Sequence, residues 1–303
     1  MHAPAGFLLI DKPSGPSSHD VVDAMRAVIG EDRIGHCGTL DPLASGVLIL
    51  CVGVATRLSE YLLGHDKGYE AQVLLGVTTD TDDVTGDERS RNEVRVDRDH
   101  VERALDRFRG TFPQLPPTFS ARRYGGKRAY ERARAGKEVA LEPTPVTIHE
   151  LRLVAFDPPH VTLELRCSAG TYVRSLARDL GAALGCGGTI EALRRTSVGS
   201  FTLAETTPLV ELTTNRDLWR ARLLGQAEGL RDLEAIHLDA VNSLRVRNGL
   251  YVPIGACAAT GPVRAVGPDG SLVAILRRAE DPAWLRPSKV FHDDARAGKP
   301  PRA

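Results

Sequence analysis

The sequence predicts an α+β fold with a mainly antiparallel, mixed sheet. Segments that alternate apolar and polar residues, as half-exposed antiparallel strands do, are spread along the chain between amphipathic helices. The two kinds of segment do not follow the regular strand-helix-strand order of a parallel α/β protein. With 303 residues, of which 42% are hydrophobic, the chain is long enough to bury a full core.

The predicted helices start at polar capping residues and stop at glycines. The stretch "PSSHDVVDAMRAVIGE" predicts a helix with Ser17 or Ser18 as N-cap, one apolar face, and Gly30 as its end. "ATRLSEYLLG" and "VDRDHVERALDRFRG" follow the same plan. In the latter, Asp97 is the expected cap and Gly110 the expected end.

The predicted strands are short segments rich in β-branched and large apolar residues. They are "FLLI", "VLILCVG", "YEAQVLLGV", "VTIHELRLVAF" and "HVTLELRCS". The acidic "TDTDD" after the third of them lacks the spacing of a calcium-binding loop. It is therefore expected to be the tip of a hairpin.

A predicted domain boundary near 227–233 divides the chain into a large domain, 1–230, and a small strand-rich unit, 231–293. The small unit has a short helix ending in "RVRNG" and then the strands "RAVG", "SLVAILR" and "PSKVF". About sixty residues make only a marginal core, so we expect this unit to lean on the large domain. Residues 294–303 are polar and rich in Pro and Gly, which predicts a disordered tail.

Composition favours a soluble cytoplasmic protein. The apolar run Phe7–Ile10 is too short for a secretory signal, and nothing approaches the roughly 18 apolar residues of a membrane span. The five cysteines are odd in number and never spaced as a CxxC pair. This spacing indicates a reducing compartment and argues against structural zinc.

Charge is balanced overall, with 39 basic and 39 acidic residues, but it is segregated along the chain. Residues 119–139 hold seven basic and two acidic side chains, whereas residues 80–106 hold ten acidic and five basic ones. A polyanion responds to a local patch more than to the global sum. On charge alone, the basic stretch is equally well explained as a solvated face or as a nucleic-acid contact.

The loop before the second predicted strand carries a candidate catalytic residue. It reads "GHCGTLDPLASG", with glycines that let a ligand approach the backbone closely. Asp41 precedes Pro42, which holds the aspartate in an extended conformation at the mouth of a buried strand. Taken alone, the Asp-Pro pair indicates either a turn cap or a carboxylate held in place for catalysis.

Five segments in order resemble the TruB family of tRNA pseudouridine synthases. They are "GFLLIDKPSGPSSHDVV", "RIGHCGTLDPLASGVLILCVGVATRL", "KGYEAQVLLGVTTDTDDVTG", "PPTFSARRYGGKRAYERARAG" and "CSAGTYVRSLARDLG". The resemblance spans Gly6 to Phe201 and implies a pseudouridine synthase catalytic domain with an RNA-contacting insertion at about 119–142. The unit after it looks like that family's PUA-type RNA-binding domain.

The resemblance implies an isomerase that acts on a uridine in the T loop of tRNA. The base is detached at its glycosidic bond, turned, and rejoined to the sugar through C5, giving pseudouridine 55, without cofactor or metal. The family's catalytic aspartate corresponds to Asp41. Whether this residue attacks C1′ or acts through a glycal route stays open at the level of sequence.

Two further residues are implied as catalytic by the same resemblance. Asp41 must be ionised, and burial could raise its pKa by as much as about 3 to 5 units, so a cation must stand close by. Arg174 in "GTYVRSL" matches the family's active-site arginine, which would hold the carboxylate charged and oriented. Tyr69 matches the ring under the flipped base, where stacking returns roughly 1 to 3 kcal/mol, and its hydroxyl is a candidate for proton handling.

The resemblance also implies substrate-binding residues. Tyr172 and Leu193 match positions that line the same pocket, and His36 matches a histidine that helps hold the flipped nucleotides. For Lys12 in "DKPSG", support of the loop and contact with a phosphate remain open alternatives. The predicted contacts to the RNA backbone come from the basic stretch and are Arg122, Arg123, Lys127 and Arg128, with Tyr124 and Tyr130 between cations.

The expected partner is the T stem-loop of tRNA, bound by a monomer, with no membrane and no metal. The alternative is an RNA-binding protein on the same scaffold that helps tRNA to fold and does not depend on catalysis. A metal-dependent hydrolase that uses His36 and Asp41 is disfavoured, since no further clustered His or carboxylate completes a ligand set.

Overall fold

The computed structural model describes residues 5–118, 142–255 and 257–291, together with the backbone of 123–124 and 127–128. Strands are the most common regular element of the described chain and form one large sheet, one small sheet and two short hairpins. The strands are β1 (Gly6–Lys12), β2 (Ile34–His36), β3 (Ser45–Val52), β4 (Lys67–Leu75), β5 (Val77–Thr79), β6 (Glu88–Arg91), β7 (Gly110–Gln114), β8 (Arg123–Tyr124), β9 (Lys127–Arg128), β10 (Thr144–Asp157), β11 (His160–Cys167), β12 (Gly188–Val198), β13 (Phe201–Thr202), β14 (Thr207–Pro208), β15 (Ala235–His237), β16 (Val252–Pro253), β17 (Val263–Val266), β18 (Leu272–Arg278) and β19 (Trp284–Val290).

The described α-helices are short and lie between these strands. They are α1 (Ser18–Ile29), α2 (Ser59–Leu63), α3 (Arg98–Leu105), α4 (Val173–Ala183), α5 (Leu209–Thr214), α6 (Leu218–Arg222) and α7 (Ala240–Arg247).

The large sheet has the strand order β14-β1-β3-β12-β4-β11-β10-β7, with β2 paired to β3 and β13 paired to β12. Its pairings are antiparallel except for β1 with β14 and β3 with β12. The predicted α+β fold with a mainly antiparallel, mixed sheet is therefore confirmed.

Strand β12 lies in the middle of the large sheet and is absent from the predicted strands. It pairs in parallel with the start of β3, where Arg195 lies opposite Gly46. Gly46 has a φ of 102°, and a Cβ atom built there would lie 2.2 Å from the Arg195 carbonyl oxygen. Only glycine permits this approach. The loop that precedes β3 is thereby held beside β12.

Helix α1 is capped as predicted. The Ser17 hydroxyl accepts from the Asp20 amide, while the Asp20 carboxylate accepts from the Ser17 amide, and Gly30 ends the helix with a φ of 71°. Asp97 caps α3 as predicted. That helix stops at Leu105 and continues as a 3-10 turn to Phe108, so its end lies before the predicted Gly110.

The small sheet has the order β15-β17-β18-β19-β16 and packs with α7 around its own apolar core. A second apolar cluster joins it to the large sheet, with Phe7 on one side and Ile275 and Phe291 on the other. The Lys289 ammonium also donates to the Glu60 carboxylate. The unit predicted to lean on the large domain does pack against it.

Several sequence predictions fall outside the described residues. These are the disordered tail, 294–303, and most of the basic insertion, including Arg122 and Tyr130. The backbone of Arg123–Tyr124 pairs with that of Lys127–Arg128 in a two-stranded ladder. Their side chains also lie outside the description, so their RNA contacts stay a prediction. The described helices include none that is long and apolar enough to cross a membrane. Each of the five cysteines is a free thiol.

Candidate active site

The loop that carries Asp41 is fixed by backbone hydrogen bonds and by one buried ammonium. The Ala44 amide donates to the Asp41 carbonyl at 3.0 Å, which closes a turn after the aspartate. Lys12 has no exposed surface, and its Nζ donates to the carbonyls of Pro13, Pro16 and Pro42 at 2.8, 2.6 and 3.3 Å. Of the two roles open for Lys12, these contacts favour support of the loop.

Asp41 and Arg174 form an ion pair. The Arg174 Nε donates to an Asp41 carboxylate oxygen at 2.9 Å, and one of its terminal nitrogens donates to the Thr81 carbonyl at 2.6 Å. Arg174 lies in the first turn of α4 and is only 6% exposed, whereas the Asp41 side chain is 41% exposed. The buried Arg174 guanidinium is held by the Thr81 carbonyl and binds the Asp41 carboxylate, which remains accessible to solvent.

The acidic "TDTDD" segment supports Arg174. Strands β5 and β6 form a hairpin with this segment at its tip, as predicted. The tip also folds back, and an Asp83 carboxylate oxygen lies 3.8 Å from the Arg174 Nε. Asp83 is buried and accepts from the hydroxyls of Thr81 and Thr85. Next to it, burial raises the pKa of Asp82, and the paired Arg178 opposes that shift.

Gln114, at the end of β7, fixes the backbone just before α4. Its side-chain amide donates to the Tyr172 carbonyl at 3.0 Å and its side-chain oxygen accepts from the Tyr172 amide at 2.8 Å. Ser175 adds a hydrogen bond from its hydroxyl to the Leu115 carbonyl at 2.8 Å. Gln114 thus fixes the backbone of Tyr172, the residue before α4, whose own side chain makes no capping hydrogen bond.

A cleft of about 280 Å³ opens at the Asp41–Arg174 pair. Five residues predicted from the sequence line it together, namely Asp41, Tyr69, Tyr172, Arg174 and Leu193. Two cations that were not predicted, Lys67 and Arg195, also line it. Lys12 and His36 are not among the described residues that line the cleft. His36 is the last residue of β2, which pairs with β3.

Tyr69 lies directly opposite Arg195 on the neighbouring strands β4 and β12. Its ring is buried at the cleft wall. Burial raises the pKa of the Tyr69 hydroxyl, and the Arg195 guanidinium, through its charge and a hydrogen bond, opposes that shift. The hydroxyl is thus protonated near neutral pH and lies beside a fixed cation.

Two buried lysines flank the site. Desolvation lowers the pKa of Lys12 from its ordinary value of 10.5 to about 8, while the Asp41 charge works in the opposite direction. Desolvation lowers the pKa of Lys67 to about 8 as well, and the Arg195 charge adds to the shift. Lys67 donates to the carbonyls of Leu63 and His65 at 3.1 and 2.6 Å. The cleft therefore holds more positive than negative charge.

Within the described ranges, no group of three or more His, Cys, Asp or Glu side chains is arranged to hold a metal ion.

Comparison with known proteins identifies two matching family profiles. Residues 26–173 match "TruB family pseudouridylate synthase (N terminal domain)", and residues 174–238 match "tRNA pseudouridylate synthase B C-terminal domain". A tRNA pseudouridine synthase B from Azoarcus sp. (strain BH72) is 48% identical over 225 residues, 74% of this chain and 75% of the relative. One from Arthrobacter sp. (strain FB24) is 40% identical over 298 residues, 95% of this chain and 96% of the relative.

Solved structures share the fold. The "Structure of H/ACA RNP bound to a substrate RNA containing 2'-deoxyuridine" matches with a TM-score of 0.74 at 22% identity, covering 96% of this chain and 86% of that one. The "Crystal Structure of a Cbf5-Nop10-Gar1 Complex" matches with a TM-score of 0.71 at 26% identity, covering 90% of this chain and 78% of that one.

Proposed function

The chain belongs to the TruB family of tRNA pseudouridine synthases, and we propose that it converts a T-loop uridine, position 55 of tRNA, to pseudouridine with Asp41 as the catalytic residue. The single observation that carries this proposal is the Asp41–Arg174 ion pair of 2.9 Å at the mouth of a cleft also lined by Tyr69. A carboxylate, a cation that orients it and an aromatic ring that can stack on the base are the groups that the proposed reaction uses.

The reaction begins with the uridine pulled out of the T loop, at a cost of a few kcal/mol. The Tyr69 ring supplies a stacking surface that returns roughly 1 to 3 kcal/mol. Tyr172 and Leu193 close the cleft around the base. Binding therefore recovers much of the cost of extrusion before any bond breaks.

Asp41 then acts at the sugar. The glycosidic bond between C1′ and N1 breaks, with its electron pair leaving on uracil, and the carboxylate either bonds to C1′ or removes a proton from the sugar. The uracil turns and C5 bonds to C1′, either as the Asp41 oxygen leaves C1′ or, on the glycal route, as the sugar regains the proton that it lost. The C5 proton then leaves while N1 gains one. Arg174 fixes the orientation of the Asp41 carboxylate through a charge-assisted hydrogen bond.

Further parts of the proposal concern partners and organisation. We propose that the RNA is bound through the T stem-loop, with Arg122, Arg123, Lys127 and Arg128 on its backbone and His36 beside the flipped nucleotides. The residues 231–293 are proposed as a PUA-like RNA-binding domain behind a catalytic domain of 1–230. We further propose that the protein acts as a monomer in the cytoplasm.

The test is tritium release from a tRNA transcript that carries 5-tritiated uridine, since the C5 hydrogen leaves only when C5 bonds to the sugar. The protein is expected to release one tritium per transcript. A transcript with cytidine in place of uridine 55 is the matched control and should release none. Release that persists in the control would place the target elsewhere, and no release from either transcript would refute the activity. A rate of tritium release that is unchanged in EDTA would exclude a metal-dependent hydrolase.

A further inference from the structure

Arg195 occupies the point where three strands of the large sheet and the Asp41 loop meet. It lies opposite Gly46 of β3 on one side and opposite Tyr69 of β4 on the other. It is 1% exposed and is one of the largest side chains buried to that degree in the described chain. A guanidinium in such a position carries a desolvation cost that its contacts must offset.

The contacts of Arg195 converge on the backbone around Asp41. Its Nε donates to the Val47 carbonyl at 2.7 Å, and its terminal nitrogens donate to the carbonyls of Thr39 and Gly38 at 3.3 and 3.1 Å. Two of these residues shortly precede Asp41 and one follows it. One planar donor group thus reaches both ends of the catalytic loop from three separate nitrogens, a fixed geometry that a lysine at this position would not have.

The charge of Arg195 reaches the cleft. All three carbonyl acceptors are neutral, so the guanidinium keeps its positive charge next to the Tyr69 hydroxyl. A donor fixed against the phenol oxygen directs the hydroxyl proton away from itself. Lys67 also lines the cleft, but its hydrogen bonds in the described part of the chain go to the carbonyls of Leu63 and His65, which lie outside the Asp41 loop.

We propose that Arg195 is a positioning residue for the isomerisation, which holds the Asp41 loop against β12 and orients the Tyr69 hydroxyl so that both act on one nucleotide. The inference rests on the proposed function, because it assigns Asp41 and Tyr69 to the same substrate. It adds a residue that contacts two catalytic elements at once through a single side chain.

The first test is the Arg195→Lys variant, which keeps the charge and loses the fork of donors. Its kcat on the T-loop transcript should fall about 10²-fold, since a displacement of about 1 Å in a catalytic group costs that much. The KM and the Kd for RNA should stay within about threefold. Arg152→Lys is the control, because Arg152 lies in β10 of the same sheet and pairs with Glu164, and neither residue lines the cleft. It should keep wild-type kcat.

A double-mutant cycle with Tyr69→Phe separates positioning from general support of the fold. If Arg195 acts in part through the Tyr69 hydroxyl, Arg195→Lys should cost less in the Tyr69→Phe background than in wild type. Equal fold-losses in both backgrounds, or a kcat loss that follows a fall in Tm, would overturn the inference. Should Arg195→Lys fail to fold, Arg195→Gln, which keeps one donor without charge, is measured in the same cycle.

The two proposals fail in different ways. No tritium release by the wild-type protein would refute the proposed function. Release by the wild-type protein together with an unchanged kcat in Arg195→Lys would refute the role of Arg195 alone.

Discussion

The cleft and the small sheet are built from similar strands and differ in what they bury. Every buried Lys, Arg or Asp of the described chain surrounds the cleft or its supports, namely Lys12, Lys67, Asp83, Arg174 and Arg195. The core of the small sheet is apolar, and Ser243 is the buried polar residue in its described part. Its cations, such as Lys289, stay at the surface.

This difference separates the residues that act from those that hold the fold together. Burying a charge is costly, so a region that buries five of them must gain something other than stability in return. The small sheet follows the ordinary rule that apolar residues fill the core. Its stability should therefore depend on packing, whereas the cleft should depend on charge and geometry. Four experiments test whether the small sheet depends on apolar packing and the cleft on charge and geometry.

The largest effect is expected for Asp41→Asn. The change keeps the size of the side chain and removes the negative charge, so turnover should fall by about 10³-fold or more while RNA binding stays intact. Single-turnover tritium release and filter binding measure the two quantities. Asp23→Asn is the control, because Asp23 also pairs with an arginine, Arg26 at 2.8 Å, on the exposed face of α1. A binding defect as large as the rate defect would count against a catalytic role.

The next effect concerns stability and lies at the contact between the sheets. Ile275 is fully buried in the shared apolar cluster, so Ile275→Ala should lower the free energy of unfolding by about 2 to 5 kcal/mol. Both sheets should unfold in one transition. The chain has two tryptophans, Trp219 in α6 and Trp284 in β19, so urea titrations of Trp219→Phe and Trp284→Phe report on each region separately. Two separate midpoints would show that the shared cluster does not couple the sheets.

A smaller effect is the pH dependence that the buried lysines impose. The pKa of Lys12 is about 8 in the folded protein and 10.5 ordinarily, so between these values the unfolded chain binds more protons. The free energy of unfolding should therefore rise with pH in that window, by at most about 1.4 kcal/mol per pH unit for one group. Lys12→Met should flatten the rise, whereas Lys289→Met at the surface should leave it in place. A slope that is the same in wild type and Lys12→Met would contradict the assignment.

The smallest effect is expected at the charged contact of the small sheet. The Lys289–Glu60 pair is partly exposed, so Lys289→Ala should lower the free energy of unfolding by about 1 kcal/mol or less. Urea titration beside Ile275→Ala gives the comparison directly. A larger loss in Lys289→Ala than in Ile275→Ala would mean that charge, and not apolar packing, joins the two sheets.

The sequence predicts the features that depend on local pattern. The capping box of Ser17 with Asp20 and the stop at Gly30 are encoded within a few residues, and the alternating strands carry their own period. The gathering of Asp41, Tyr69 and Arg174 in one cleft follows from motifs whose resemblance spans two thirds of the chain. These are the parts for which neighbours in sequence, or a known family, supply the information.

The residues that the sequence does not reveal act through distant partners. Arg195 and Lys67 look like ordinary strand cations, and only the pairing of β12 with β3 and β4 places them at the cleft. Gln114 binds a backbone 58 positions away, and Asp83 reaches Arg174 from a hairpin tip whose composition indicates a solvated turn. No periodicity in the local sequence indicates such contacts, because they are created by the topology of the sheet.

The most direct measurement is a crystal structure of the Asp41→Asn protein bound to a T stem-loop RNA with uridine at position 55. If Asp41 is the catalytic residue, the uracil should be flipped and stacked on the Tyr69 ring, with C1′ within about 3.5 Å of the residue 41 side chain. A uracil still stacked in the T loop, or one bound away from residues 41 and 174, would contradict it.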